Sequence, residues 1–201
     1  MSVVPGRIEQ AGVALAERGA HTLGEGAFVT DLQVPAFFDS VPRIRLRDPL
    51  AQLLGAAGGG VLEYGYADAV RLAGHSCPTV ASAYWLGVRA LTALYPEALP
   101  VRGQIRVELR ESVETGTIGV VANVLSLLTG AASVGGFKGL GGQYVRRDLL
   151  RFDAPIETDL RFTRTDTGAA INAQAHPQRV AGNPRTMPLL QRCVAGQASA
   201  A

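Results

Sequence analysis

Pro78 constrains this chain more than any other residue. Its ring fixes φ and it has no N–H to donate, so it fits only the first turn of a helix, and it pushes Cys77 out of the αR region. Behind it runs a strongly apolar stretch that ends at Tyr95-Pro96. Val80, Tyr84, Val88, Leu91 and Tyr95 fall on one helical stripe, and small residues (Ala81, Ala83, Gly87, Ala90) let a neighbour approach closely. The pattern predicts a central helix with Cys77 as its N-cap.

The segment that delivers the chain to this helix is Gly74-His75-Ser76-Cys77-Pro78-Thr79. If it is extended, side chains two apart share a side, so His75 and Cys77 reach one common point. In a helix the same spacing would turn them apart. A thiol at a helix N-terminus meets unpaired N–H groups and the positive end of the dipole, which favour the thiolate. That is the form that binds metals and attacks electrophiles.

With 201 residues, 47% of them apolar and 18% charged, the chain can bury a substantial core and is not of the disordered class. A formal net charge of +2, with arginines spread out and no interleaved aromatics, argues against a nucleic-acid partner. Cys77 and Cys193 are too few and too far apart for a disulfide framework, so a reducing, cytoplasmic setting is expected. Met1 to Glu9 shows no apolar leader segment, and no apolar run approaches the ~20 residues of a membrane span. The longest, Ile118 to Leu128, carries Asn123 and Ser126 and suits a core helix.

Along the chain, residues 3 to 19 follow a helical period loosely, and residues 20 to 47 read mostly as loop with a short strand or two. Asp48-Pro49 signals an N-cap and a first helical residue, opening a helix that should stop at Gly58-Gly59-Gly60. A short helix over Tyr64 to Ala73 precedes Gly74. Val101 to Arg110 alternates, with Val101, Ile105, Val107 and Leu109 on one face and charged or polar residues on the other, which predicts a half-buried strand. Ile118 to Thr129 is apolar on almost every side and predicts a buried helix. Gly130 to Gly142 is a glycine-rich loop. Strands over Leu160 to Thr165 and Ala169 to Ala175 are joined by a turn-like Asp166-Thr167-Gly168. The fold class expected is α+β: helices on a small, mainly antiparallel sheet in a single domain over residues 1 to 175, followed by an extended tail over 176 to 201.

These residues resemble a family. Gly74-His75-Ser76-Cys77-Pro78 before a tyrosine-bearing helix (Tyr84), then Glu114, Ala122-Asn123-Val124-Leu125, Leu128-Thr129-Gly130, a glycine-lysine loop and Asp166-Thr167-Gly168, are similar to the FmdE-like family of formylmethanofuran dehydrogenase proteins. The resemblance spans roughly Tyr66 to Ala173 and rests mainly on the Gly-His-x-Cys-Pro element. It implies a compact α+β domain, commonly dimeric, whose motif histidine and cysteine bind a metal, often zinc, and a setting in redox or one-carbon metabolism with a possible redox-enzyme partner. Val120 and Asn123 stand where the family has Cys-x-x-Asp, and the family's C-terminal cysteine-rich finger is absent.

The residues themselves offer two soft ligands, His75 and Cys77, where a structural zinc site takes about four protein ligands and a catalytic one about three. His21, Glu114 and His176 are the candidates to complete the set. The pair suits zinc, copper or iron, and a haem held by thiolate or imidazole is the alternative. Tyr84 is a candidate cofactor contact that equally suits the core. Asn123, in an apolar helix, would need a hydrogen-bond partner or cost ~1–3 kcal/mol, and is a candidate cofactor contact that orients a ligand or, alternatively, ties helix to loop. Lys138, among glycines, is a candidate for an anionic substrate or cofactor group, although the spacing matches no nucleotide-binding loop. Arg146-Arg147-Asp148 reads as a solvated helix start or an ion pair, and Tyr64, Tyr66 and Asp68 are candidate walls of the cleft. No Ser-His-Asp arrangement is present. A metal- or cofactor-binding protein is thus expected, with Cys77 and His75 as its catalytic centre or, in a carrier or accessory protein, as its metal site. A metal-free thiol enzyme is a further alternative. The apolar composition and the tail predict a homodimer that binds a small molecule or metal cofactor.

Overall fold

The computed structural model describes residues 34–198. The helix expected over residues 3 to 19, the start of the following loop and His21 lie outside the described residues. Within them, helices and two small sheets form an α+β architecture, the class expected. No helix among the described residues is long and apolar enough to cross a membrane.

The first sheet pairs β1 (Ile44–Arg47) with β2 (Val61–Tyr64), antiparallel, Ile44 opposite Tyr64 and Arg47 opposite Val61. Between them sits α1 (Pro49–Leu53), capped by Asp48, whose Oδ1 accepts from the N–H groups of Leu50 and Ala51 at 3.0 and 3.2 Å. The helix ends well before the glycine run expected to stop it. It buries none of its side chains, and Gly55 turns left-handed at φ 68°, so little favours a second turn.

Asp48 does more than cap. Its Oδ2 accepts from Arg102 Nη1 and its Oδ1 from Arg146 Nη2, both at 2.6 Å, and the carboxylate is buried. Arg102 also donates to the carbonyls of Leu127 and Leu128. Arg146 is therefore no solvated helix start; the ion-pair alternative is the one observed, with burial added.

Next, α2 (Tyr66–Ala73) has its N-cap at Gly65, whose N–H is held by Asp68 Oδ2 at 2.8 Å, and ends on Gly74 in the left-handed conformation. Tyr64, expected at the helix start, belongs to β2 instead. Helix α3 (Pro78–Leu94) follows, with Cys77 extended at its N-cap, as Pro78 requires. Helix α4 (Ile118–Thr129) occupies the range expected and packs on α3. A methyl at Gly87 would sit 2.6 Å from Leu128 Cδ1, so the bare Cα is what lets the two helices close up.

The second sheet has the order β4 (Leu150–Arg151), β3 (Ile105–Leu109), β5 (Leu160–Arg164) and β6 (Ala170–Ala173). Only the β3–β4 pair is parallel. Ile105, Val107 and Leu109 point into the core and alternate with half-buried Arg106 and Glu108, the period-two pattern of the sequence. Gly168 supplies the positive φ of the β5–β6 turn. The core joins Val80, Tyr84 and Leu91 of α3 to Leu125 and Leu128 of α4 and to Ile105, Leu160 and Phe162 of the sheet. Each fully buried aliphatic or aromatic side chain is worth ~1.5–3 kcal/mol relative to exposure.

Residues 176–198 are all exposed. They are not uniformly extended, since α5 (Thr186–Val194) forms within them. Good helix formers (Leu189, Leu190, Gln191, Arg192) follow Pro188, which lies in the first turn where its missing N–H costs nothing.

Candidate functional site

The left-handed Gly74 stops α2, the chain bends at His75, and it reaches Cys77 in the extended conformation (φ −148°, ψ 170°). Ser76 is anchored on the way, its Oγ 2.8 Å from the hydroxyl of Tyr66. His75 is exposed, and its Nδ1 lies 2.9 Å from the carbonyl oxygen of Ala73. That carbonyl only accepts, so Nδ1 carries the proton and Nε2 keeps the lone pair for a metal or a proton.

Imidazole and thiol are close enough to shift each other's ionisation. Burial pushes the Cys77 thiol up, but the backbone N–H groups of Val80 and Thr79 and then the His75 ring outweigh it, and the net shift is downward. His75 is raised, first by the Ala73 carbonyl and then by Cys77. Both shifts favour a thiolate beside an imidazolium.

Cys77 is half-buried at the edge of a cavity of about 470 Å³, whose walls include Phe37, Val41, Tyr66 and Trp85. A larger groove of about 690 Å³ shares Pro78, Ala81 and Trp85 with it and runs along α3 to Leu86 and Arg89, with His176 and Val180 opposite. The sulfur thus borders a largely apolar cavity that shares one wall of α3 with the longer groove. No protein-family model matches this chain, and no curated protein or solved structure is significantly similar to it.

The other sequence candidates fall elsewhere. Tyr84 is fully buried, its hydroxyl shared between the carbonyls of Pro42 (2.7 Å) and Tyr64 (3.2 Å), and burial is the main cause that pushes its pKa up to about 12. It ties α3 to the first sheet and lines neither cavity. Asn123 is exposed on α4, so the buried amide expected there is not found and no partner is required. Lys138 and Glu114 are exposed as well, outside both cavities. Of the three candidate walls, Tyr66 lines the cavity, Tyr64 lies under the Arg102 guanidinium and Asp68 pairs with Arg71. Phe37 and Trp85 complete the cavity and have no sequence signal of their own, because an aromatic beside prolines or on an apolar helix points to nothing beyond packing.

The donor set bears on which metal group could sit here. Among the described residues no group of three or more His, Cys, Asp or Glu converges on one point, so they do not by themselves make a closed zinc site. A cofactor held by a single protein donor would ask for less, and either Cys77 or His75, beside the apolar walls, would supply that donor.

Proposed function

We propose that this chain binds a transition metal or metallocofactor through Cys77 Sγ and His75 Nε2, beside an apolar cavity that admits a small molecule. The observation that carries the reading is the stabilised thiolate beside an imidazole whose Nδ1–H is tied to a backbone carbonyl, an arrangement that orients a ligating histidine. A bound ion would supply Lewis acidity or redox chemistry there. Zinc is the first choice and haem the second, and the setting in redox or one-carbon metabolism rests on the resemblance to FmdE-like proteins. The test is elemental analysis and an absorption spectrum of untagged protein. Stoichiometric metal or chromophore that Cys77→Ala loses and Cys193→Ala keeps is the expected result. A wild type that carries none and takes up none on titration with zinc would end this reading.

A second reading is favoured by the lowered thiol together with the incomplete donor set among the described residues. In it Cys77 is a metal-free nucleophile and His75 its charge partner. Iodoacetamide labelling against pH separates the two, since a bound metal protects the thiol at every pH whereas a free thiolate reacts fastest above its own, lowered pKa.

The assembly we propose is a homodimer in which the part of the tail that carries α5 crosses to a second copy, while residues up to Gly182 stay against their own α3. Every residue of α5 is exposed, Met187, Leu189, Leu190 and Val194 among them, and the groove along α3 offers an apolar bed. Light scattering should give twice the chain mass, falling to the single mass in a chain truncated after Ala175.

A further inference from the structure

The Asp48 cluster carries more positive charge than its carboxylate neutralises. Oδ1 already accepts from Leu50, Ala51 and Arg146, and Oδ2 from Arg102, so little acceptor capacity is left. Against this one carboxylate stand Arg102 and Arg146, and Arg47 reaches the same place without an ion pair among the described residues. Arg146 is buried, and its Nη1 finds no acceptor among the described residues. Leaving a buried charged donor unpaired is costly, and proteins that keep one usually have a partner for it in some state.

The surroundings are shaped for that guanidinium. Gly103 (φ 81°) and Gly130 (φ 69°) flank it, and a Cβ on either would collide with Arg146 Nη1. Beside it lies a cavity of about 470 Å³, separate from the two beside α3, whose wall is formed by the three arginines with Gln104, Gln143 and Tyr144. The polar donors outnumber acidic groups completely, since no Asp or Glu lines it. Gln143 and Tyr144 follow directly on the glycine-rich loop, where the sequence points to an anion but to Lys138 as its partner.

We propose that this cavity binds a small dianion, with Arg47 and the unpaired Nη1 of Arg146 as its partners and Arg102, whose three nitrogens are already engaged, as fixed charge beside them. Guanidinium forks pair with phosphate and carboxylate oxygens alike, so the shared chemistry is a doubly charged oxyanion. The site is independent of His75 and Cys77 and shares no residue with them.

The experiment is calorimetric titration of the full chain with inorganic phosphate and, separately, with succinate, at constant ionic strength in chloride. Saturable binding of either supports the site, and whichever binds names the class. Arg47→Gln removes an exposed side chain outside the folding core, so it should fold as the wild type does and weaken binding about tenfold. Arg110→Gln, an exposed arginine that does not line the cavity, should leave it unchanged, and so should Cys77→Ala, which separates this test from that of the metal site. No saturable heat with either anion up to ~10 mM, or an Arg47→Gln chain that binds as tightly as wild type, overturns the proposal.

Discussion

The two polar groupings of this protein are built in opposite ways. Asp48 and Arg146 are 98 positions apart, and Arg102 joins them from a third stretch; all are drawn inside and cross-linked by short charged hydrogen bonds. His75 and Cys77 come from one tripeptide, stand at the surface or half-buried, and are held by backbone groups of their own neighbourhood. The first grouping can form only when the fold has formed, and the fold then depends on it. The second is nearly independent of the rest, so its protonation and ligands can change while the frame stays intact. Position in the chain and degree of burial thus divide charge that the fold holds fixed from charge that is free to change.

The largest effect that would test this division is at Asp48. Asp48→Ala leaves two guanidiniums without their carboxylate and removes a helix cap, and should cost ~3–5 kcal/mol in urea unfolding. A loss under ~1 kcal/mol would mean that the cluster is not a structural hub. Next comes Gly130→Ala, which forces a left-handed φ on a residue with a Cβ and pushes that Cβ into Arg146, for a loss of ~1–3 kcal/mol. Smaller again is the acid response. Burial raises the Asp48 carboxyl, but the Ala51 N–H and both arginines outweigh it and hold it below its ordinary range. A carboxylate lowered on folding stabilises in full above its unfolded pKa of ~3.9 and loses that contribution as pH falls through the folded value, so unfolding midpoints should drop below about pH 4 and change little from Asp48 between pH 5 and 8. An Asp48→Asn chain with the same acid profile would show that other groups set it.

The site pair should give the smallest change in stability and the largest in reactivity. Cys77→Ser should shift unfolding by no more than ~0.5 kcal/mol, because its neighbours keep their packing. In metal-free protein, alkylation of Cys77 should follow a thiol midpoint below the ordinary ~8.5, and His75→Ala should move that midpoint up. An unmoved midpoint would leave the N–H groups of Thr79 and Val80 as the whole cause.

What could be read from the sequence follows the same division. Pro78, Asp48-Pro49, Gly74 and Asp166-Thr167-Gly168 each act through local sterics, and each marks the boundary expected of it. The meeting of His75 and Cys77 was legible because two residues and one proline decide it. Arg146 was not, since nothing near it in sequence announces a carboxylate 98 positions away. The two-residue β4 exists only through its parallel pairing with β3, so it has no periodicity of its own. Asn123 misled because an almost wholly apolar helix hides which side faces water; that single amide lies on the open side. Helix α5 lacks burial to support it and shows how far propensity and a well-placed proline can go alone.

Gly87 lies near the middle of α3, the helix whose N-cap is Cys77, where α3 meets α4. Since Leu128 Cδ1 would lie 2.6 Å from a methyl there, a larger residue must first displace the ends of Leu128 and Leu125, and only what those side chains cannot absorb is passed to the helices. One end of α3 carries the sulfur, while the aromatic walls facing it belong partly to other segments. The hydrogen on Gly87 thus sets how closely α3 lies on α4, and Gly87→Ala becomes a means of loosening that seam without altering a single group that a ligand would touch.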